Sequence, residues 1–195
     1  MTAYFRLVDD MTIPNRWHLG FATLSDGSEP RLRAGFRLDS PESLSIPVTH
    51  AGSPLEFTLT SFAVPVATGK LASAVSVAAE NEVQVAPVCI AGQTGMAVLN
   101  ALRVVRCLDE SRSEFVKWTT QDHRADLAGQ YRQITRMVLD PLRIPTDAHF
   151  FRIEGSLVEV VVSEHVKRAM EAAGCLGARF ERIAVGESPL KTDRR

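Results

Sequence analysis

The side chains of this sequence best suited to nucleophilic attack are Cys89, Cys107 and Cys175, and a thiolate served by one of its histidines would make a cysteine hydrolase. Their settings point elsewhere. Cys107 follows Val104-Val105-Arg106 in an apolar run and Cys89 sits in Val88-Cys89-Ile90, so both read as small buried hydrophobes with raised thiol pKa. His18, His50, His123, His149 and His165 are widely scattered, without the close pairing that a metal site on one helix or turn needs. Neither a metal nor a cofactor is expected. Thr68-Gly69-Lys70 looks like the end of a phosphate loop, but Val64 stands where that loop needs its first glycine, so the segment reads as a helix start. There is no G-x-S-x-G elbow.

Binding chemistry is better represented. Gln121-Asp122-His123-Arg124-Ala125-Asp126 sets two carboxylates around an imidazole, an arrangement that would serve acid–base work or, more commonly, a solvated contact loop. Trp118 lies four residues before Asp122 and fits either a binding anchor or a core ring, whereas Trp17 reads as buried. Glu114, Trp118, Asp122, His123 and Asp126 are therefore the candidate partner-binding residues. Between 109 and 126 five acids face Arg112, Lys117 and Arg124, a balance that permits a mildly acidic patch. The polar stretch 21–43 is a second candidate contact region.

These residues need elements to hold them. Apolar alternation predicts strands at 3–8, 55–60, 83–90, 96–99, 134–139, 150–153, 158–162 and 178–183, with an apolar run at 102–108 and weaker strands near 32–38 and 44–49. Two main helices are expected, at about 68–80 and 164–174. In the first, capped by Thr68, Leu71, Ala74, Val75 and Ala78 share a face; in the second, capped by Ser163, Val166, Ala169, Met170 and Ala173 do, and Gly174 stops it. Residues 109–130 are polar and turn-rich. A shift of 95 positions lays Val66, Thr68, Leu71 and Val75 on Val161, Ser163, Val166 and Met170, as two similar strand–helix–strand halves would. The fold class is α+β with mixed or antiparallel sheets, in one domain over 1–185, followed by a disordered tail at 186–195.

A chain of 195 residues buries roughly 70% of its unfolded surface and needs no metal or disulfide to fold. Its net charge of −1, without a Lys/Arg run, argues against direct nucleic-acid binding. No apolar run approaches a membrane span and the N-terminus has no signal pattern. An odd cysteine count without C-x-x-C fits a reducing cytoplasm. No feature sets an oligomeric state.

Several motifs, in order, carry a family resemblance: Arg16-Trp17-His18-Leu19-Gly20, the run from Leu99 to Asp109, Asp140-Pro141 with Ile144-Pro145, and His149-Phe150-Phe151-Arg152. Val162-Ser163-Glu164-His165-Val166-Lys167, Ala169-Met170-Glu171 and Gly177-Ala178-Arg179-Phe180 complete the series. From Tyr4 to about Ile183 the chain resembles the polymorphic-toxin immunity proteins abundant in myxobacteria, a family long described only as a domain of unknown function. The resemblance implies a cytoplasmic α+β protein, without enzymatic activity, that binds and neutralises a cognate protein toxin by stoichiometric occlusion. Toxins paired with such proteins include nucleases. The resemblance carries no catalytic residues. The competing readings are the cysteine hydrolase and a regulatory module that binds a partner other than a toxin.

Overall fold

The computed structural model describes residues 2–39 and 44–186. The strands in chain order are β1 (Tyr4–Asp9), β2 (His18–Leu19), β3 (Leu44–Ser45), β4 (Val48–His50), β5 (Phe57–Leu59), β6 (Pro65–Thr68), β7 (Val83–Cys89) and β8 (Met96–Ala101). They continue with β9 (Val104–Val105), β10 (Glu114–Lys117), β11 (Tyr131–Arg136), β12 (Val138–Leu139), β13 (Phe150–Ile153), β14 (Ser156–Ser163) and β15 (Ala178–Val185). The helices are α1 (Gly69–Ala78) and α2 (Glu164–Ala172). The fold is α+β, as the apolar periods predict.

The main strands form two sheets, ordered β3-β7-β8-β6-β5 and β12-β15-β1-β14-β13-β9. Their connectivity is alike. In each, the strand before the helix and the strand after it flank an antiparallel centre, β8 in one sheet and β1 in the other. A short parallel strand, β3 or β12, extends the strand after the helix. Shared topology imposes shared apolar spacing, so the 95-residue echo carries no more information than the connectivity itself.

Successive side chains of a strand point to opposite faces, and here both faces are apolar. Ala67, Ala97, Leu99, Val160 and Val162 turn inward onto Leu71, Val75, Val166 and Met170 of the helices, forming one core between the sheets. Their neighbours Val66 and Val98 turn outward onto Trp17, Leu19, Leu32 and Ile46. On the other sheet, Val161 turns outward onto Tyr4, Phe151, Leu108, Ile134 and Ile144. The chain therefore wraps each outer face with a long excursion, residues 10–39 and 44–55 on one side and 105–148 on the other. The Trp17 indole donates to Thr58 Oγ1 at 2.8 Å, tying the first wrap to β5.

Several expectations need correction. Residues 32–35 form a turn and 36–38 have no regular structure, so the strand near 32–38 is absent. The polar segment 109–130 is not all turn, because Glu114–Lys117 pairs with Tyr131–Arg136 as a hairpin. The strand expected at 134–139 is two strands broken at Met137. Cys89 is exposed rather than buried, while Cys107 is fully buried as expected. The expected disordered tail lies, from residue 187 on, outside the described residues.

The two helix starts differ. Ser163 Oγ accepts from the Val166 N–H and its hydroxyl lies 3.0 Å from His149 Nδ1. Thr68 occupies the cap position of α1 but its side chain makes no cap hydrogen bond. Ser163→Ala should accordingly cost about 1 kcal/mol of stability and Thr68→Ala clearly less, measured by urea denaturation.

Candidate functional site

The two polar regions expected to make contacts meet in one place. Residues 29–36 of the first wrap and residues 118–132 of the second face each other across a groove of about 1050 Å³. Its remaining wall comes from two hairpins, at Phe62 between β5 and β6 and at Gly155 with the first three residues of β14. The turns at Phe62 and Gly155 occupy equivalent places in the two sheets.

The first wrap is positioned by buried amides. Gln84 on β7 and Asn100 on β8 are cross-strand partners. Gln84 accepts from the Leu38 N–H at 2.8 Å and donates to the Leu38 carbonyl at 2.9 Å. Asn100 donates to the Phe36 carbonyl at 2.8 Å and to Gln84 Oε1 at 3.1 Å. Leu32 is buried in the outer core, and Gly35 turns the chain at φ +78°, where a Cβ would lie 3.2 Å from Val104. Between these anchors Phe36 stays 57% exposed.

The opposite wall hangs on the β10–β11 hairpin. Tyr131 packs edge-on against Phe115, and its N–H donates to the Gly155 carbonyl. The loop beyond folds back on itself. Asp122 accepts from the backbone N–H and hydroxyl of Thr119 and pairs with Arg132 at 3.3 Å. Arg132 lies over the Trp118 ring at 5.0 Å, and His123 meets the same ring edge-on at 5.2 Å. Trp118 is thus half-buried, packed between a cation and an imidazole in the groove wall.

Of the candidate contact residues, Trp118 and His123 line the groove. Asp122 builds the loop behind them, and Asp126 pairs with Arg124 at 2.7 Å. Glu114 lies apart on β10, 3.6 Å from Arg136. No acidic patch forms. Asp109, Glu110, Glu114, Asp122 and Asp126 each have an arginine or lysine within 4.0 Å.

Sequence reading missed what lies beneath the groove. Arg152, on β13, is completely buried. It donates to the Leu157 carbonyl at 2.6 Å and the Ala63 carbonyl at 3.0 Å, so it clamps both turns of the wall. Its Nε has no partner, and among the described residues no carboxylate lies within 4.0 Å. Burial, with a smaller push from Arg33, pulls its pKa down to about 9, so it stays charged at neutral pH. The clamped turn is strained, with Phe62 at φ +64° and Ala63 at +57°, a region bulky residues rarely adopt. Its geometry leaves the Phe62 ring 53% exposed, stacked on Phe21 at 4.9 Å and covered by Arg33 at 5.0 Å. Only the sequence separation of 89 residues between Arg152 and Ala63 hid this contact. Glu82 was missed likewise: it is buried, accepts from the His149 and Phe150 N–H groups, and pairs with Arg103 at 3.0 Å.

Two histidine pairs form, His18 with His50 and His149 with His165, each with ring centroids 5.6 Å apart. Burial pushes the Cys107 thiol up to about 12 and the Cys175 thiol to about 11. The Ser163 hydroxyl near His149 is buried and occupied as a helix cap. Among the described residues no three His, Cys, Asp or Glu side chains come together as a metal site, and no helix is long and apolar enough to cross a membrane.

Two outcomes test this construction. Asn100→Ala removes a buried donor from two acceptors and should cost about 1–3 kcal/mol, with faster amide exchange in residues 29–39. The Thr119 N–H and hydroxyl, helped by Arg132, hold the Asp122 carboxyl below the usual range. A lowered carboxylate contributes order above its unfolded pKa, about 3.9, and loses it as pH falls through the lower folded value. The Thr119 amide resonance should therefore move chiefly below about pH 4, whereas Asp122→Ala should shift it already at about pH 7.

No curated protein matches this chain. Residues 98–185, the span from β8 to β15 that includes the hairpin, α2 and Arg152, match the model of the immunity protein family Imm11, to which this part of the chain is therefore similar.

Proposed function

We propose that this chain acts in the cytoplasm as an immunity protein, one that binds a cognate protein toxin and neutralises it by stoichiometric occlusion. The observation that carries the reading is the match to an immunity family over the span holding the Trp118 hairpin. Geometry adds support. A half-buried tryptophan between Arg132 and His123, with exposed Phe36 and Phe62 across the groove, is the composition that concentrates binding energy at protein interfaces. A stable complex buries about 800 Å² on each side, so the contact extends from the groove onto the faces of both wraps.

The hydrolase reading loses its main nucleophile, because a thiol titrating near 12 supplies almost no thiolate at neutral pH. Cys89 is accessible, but among the described residues it belongs to no group of three His, Cys, Asp or Glu side chains. A nuclease is the expected toxin from the resemblance, yet the pairing of every acid on the hairpin side removes the acidic surface that would meet a basic nucleic-acid-binding face.

The test is co-expression with the C-terminal domain of the protein encoded beside this chain. Growth rescue and a complex of fixed stoichiometry by light scattering are expected. If that domain neither harms cells nor associates with the chain, the reading fails. Within the complex, Trp118→Ala should weaken affinity about 30-fold, the order of a 2 kcal/mol anchor, while Glu114→Ala changes it less than about threefold.

A further inference from the structure

We infer that the groove receives an acidic segment of the toxin that also carries an apolar anchor; this rests on the toxin-binding reading and names the chemistry of its contact. The surplus charge is positive and rests on Arg31 and Arg152. Arg31, Arg33, Arg124 and Arg132 line the groove against Glu29. Asp126 and Asp122 hold Arg124 and Arg132, and Glu29 stands 3.8 Å from Arg33 while largely exposed. Arg31 has no ion pair among the described residues, and neither has Arg152 behind the wall. A buried cation without a counter-charge is costly, and its field is screened little by the low-dielectric wall. A carboxylate entering the groove would supply the missing charge.

The apolar half of the inference comes from the same walls. Phe62 is held out by a turn in the left-handed region, under Arg33, and Phe36 projects from a loop pinned by Asn100. Two exposed rings facing Trp118 across a cleft fit one inserted apolar side chain, and the flanking arginines fit acids on either side of it. Aromatic rings with arginines also suit single-stranded nucleic acid. Here Asp122 and Asp126 stand beside both arginines of the hairpin, where they would repel a phosphate backbone, and the whole chain carries −1. A nucleic acid carries a phosphate at every nucleotide and must set some of them against these aspartates, whereas a protein segment can place single acids at Arg31 and Arg33 and keep clear of Asp122 and Asp126.

The experiment measures association and dissociation of the full chain with the neighbouring gene's toxin domain, at low and high salt. The variants are Arg31→Glu/Arg33→Glu, Phe36→Ala and, as a control on β15, Arg182→Glu, all checked for unchanged thermal melts. The double reversal should slow association about tenfold or more and flatten its salt dependence. Phe36→Ala should instead speed dissociation about tenfold, and Arg182→Glu should change neither. If wild type and double reversal bind the toxin domain alike, the acidic-segment inference is overturned while toxin binding stands. If wild type itself does not bind, both readings fall. A fluorescent oligothymidylate that binds wild type but not the double reversal would overturn the inference in favour of nucleic acid.

Discussion

Two sheets that are apolar on both faces cannot be satisfied by two helices alone. The helices fill the space between the sheets, against Ala67, Leu99, Val160 and Val162, and leave Val66, Val98 and Val161 pointing outward. Covering these outer faces is the constraint from which the rest follows. It obliges the chain to spend two excursions as wrapping, one holding Trp17, Leu32 and Ile46 and one from Leu108 to Ala148. Wraps have only one apolar side to bury. Their other side is free to carry rings and charges, and where the two wraps meet over the hairpin turns they leave the groove.

The groove is held open by interactions that do not favour stability in themselves. Arg152 is buried without a carboxylate, and Phe62 and Ala63 occupy a backbone region that costs energy for side chains of their size. A core built only for stability would use an apolar residue in place of Arg152, since buried charges are commonly replaced without loss. The guanidinium does what an apolar side chain could not: it accepts no proton and donates to the carbonyls of Leu157 and Ala63 at once, fixing both turns. Rigid rings presented by a locked turn lose little freedom on binding, which is how preorganisation raises affinity.

How far the sequence disclosed this depends on the range of the interaction. Strands with both faces apolar, such as 158–162, and the helix of 164–174 with its Ser163 cap were legible because their signals are local. The Thr68 cap was misread because residue type allows a cap hydrogen bond without requiring it. Strand β10 escaped notice since Val116 is exposed and Phe115 only half-buried, leaving no clean alternation. The stretch 32–38 has the apolar spacing of a strand, but Leu32 serves as a plug and Phe36 points to solvent. Gln84, Asn100 and Arg152 look like solvent-facing residues on strands, and Glu82 like a turn residue. Their partners lie tens of residues away, so nothing in the local sequence marks them as buried. For the candidate contact residues the sequence offered only the segment; that Trp118 and His123 lie in the groove wall and Glu114 outside it was not readable there.

Charge shows the same limit in another form. Composition gives five acids against three bases between 109 and 126, and counting alone favours an acidic face. Folding brings Arg132 and Arg136 from β11 against Asp122 and Glu114, bases that the count did not include. Across the groove, Arg31 and Arg33 arrive from a segment far away in sequence, and Arg152 lies behind the wall. A groove whose lining holds four arginines, three of them paired with Glu29, Asp126 and Asp122, is therefore compatible with a net charge of −1. Steering depends on the field in the cleft rather than on the total, so a near-neutral chain can carry a locally positive groove at Arg31, with Arg152 behind its wall.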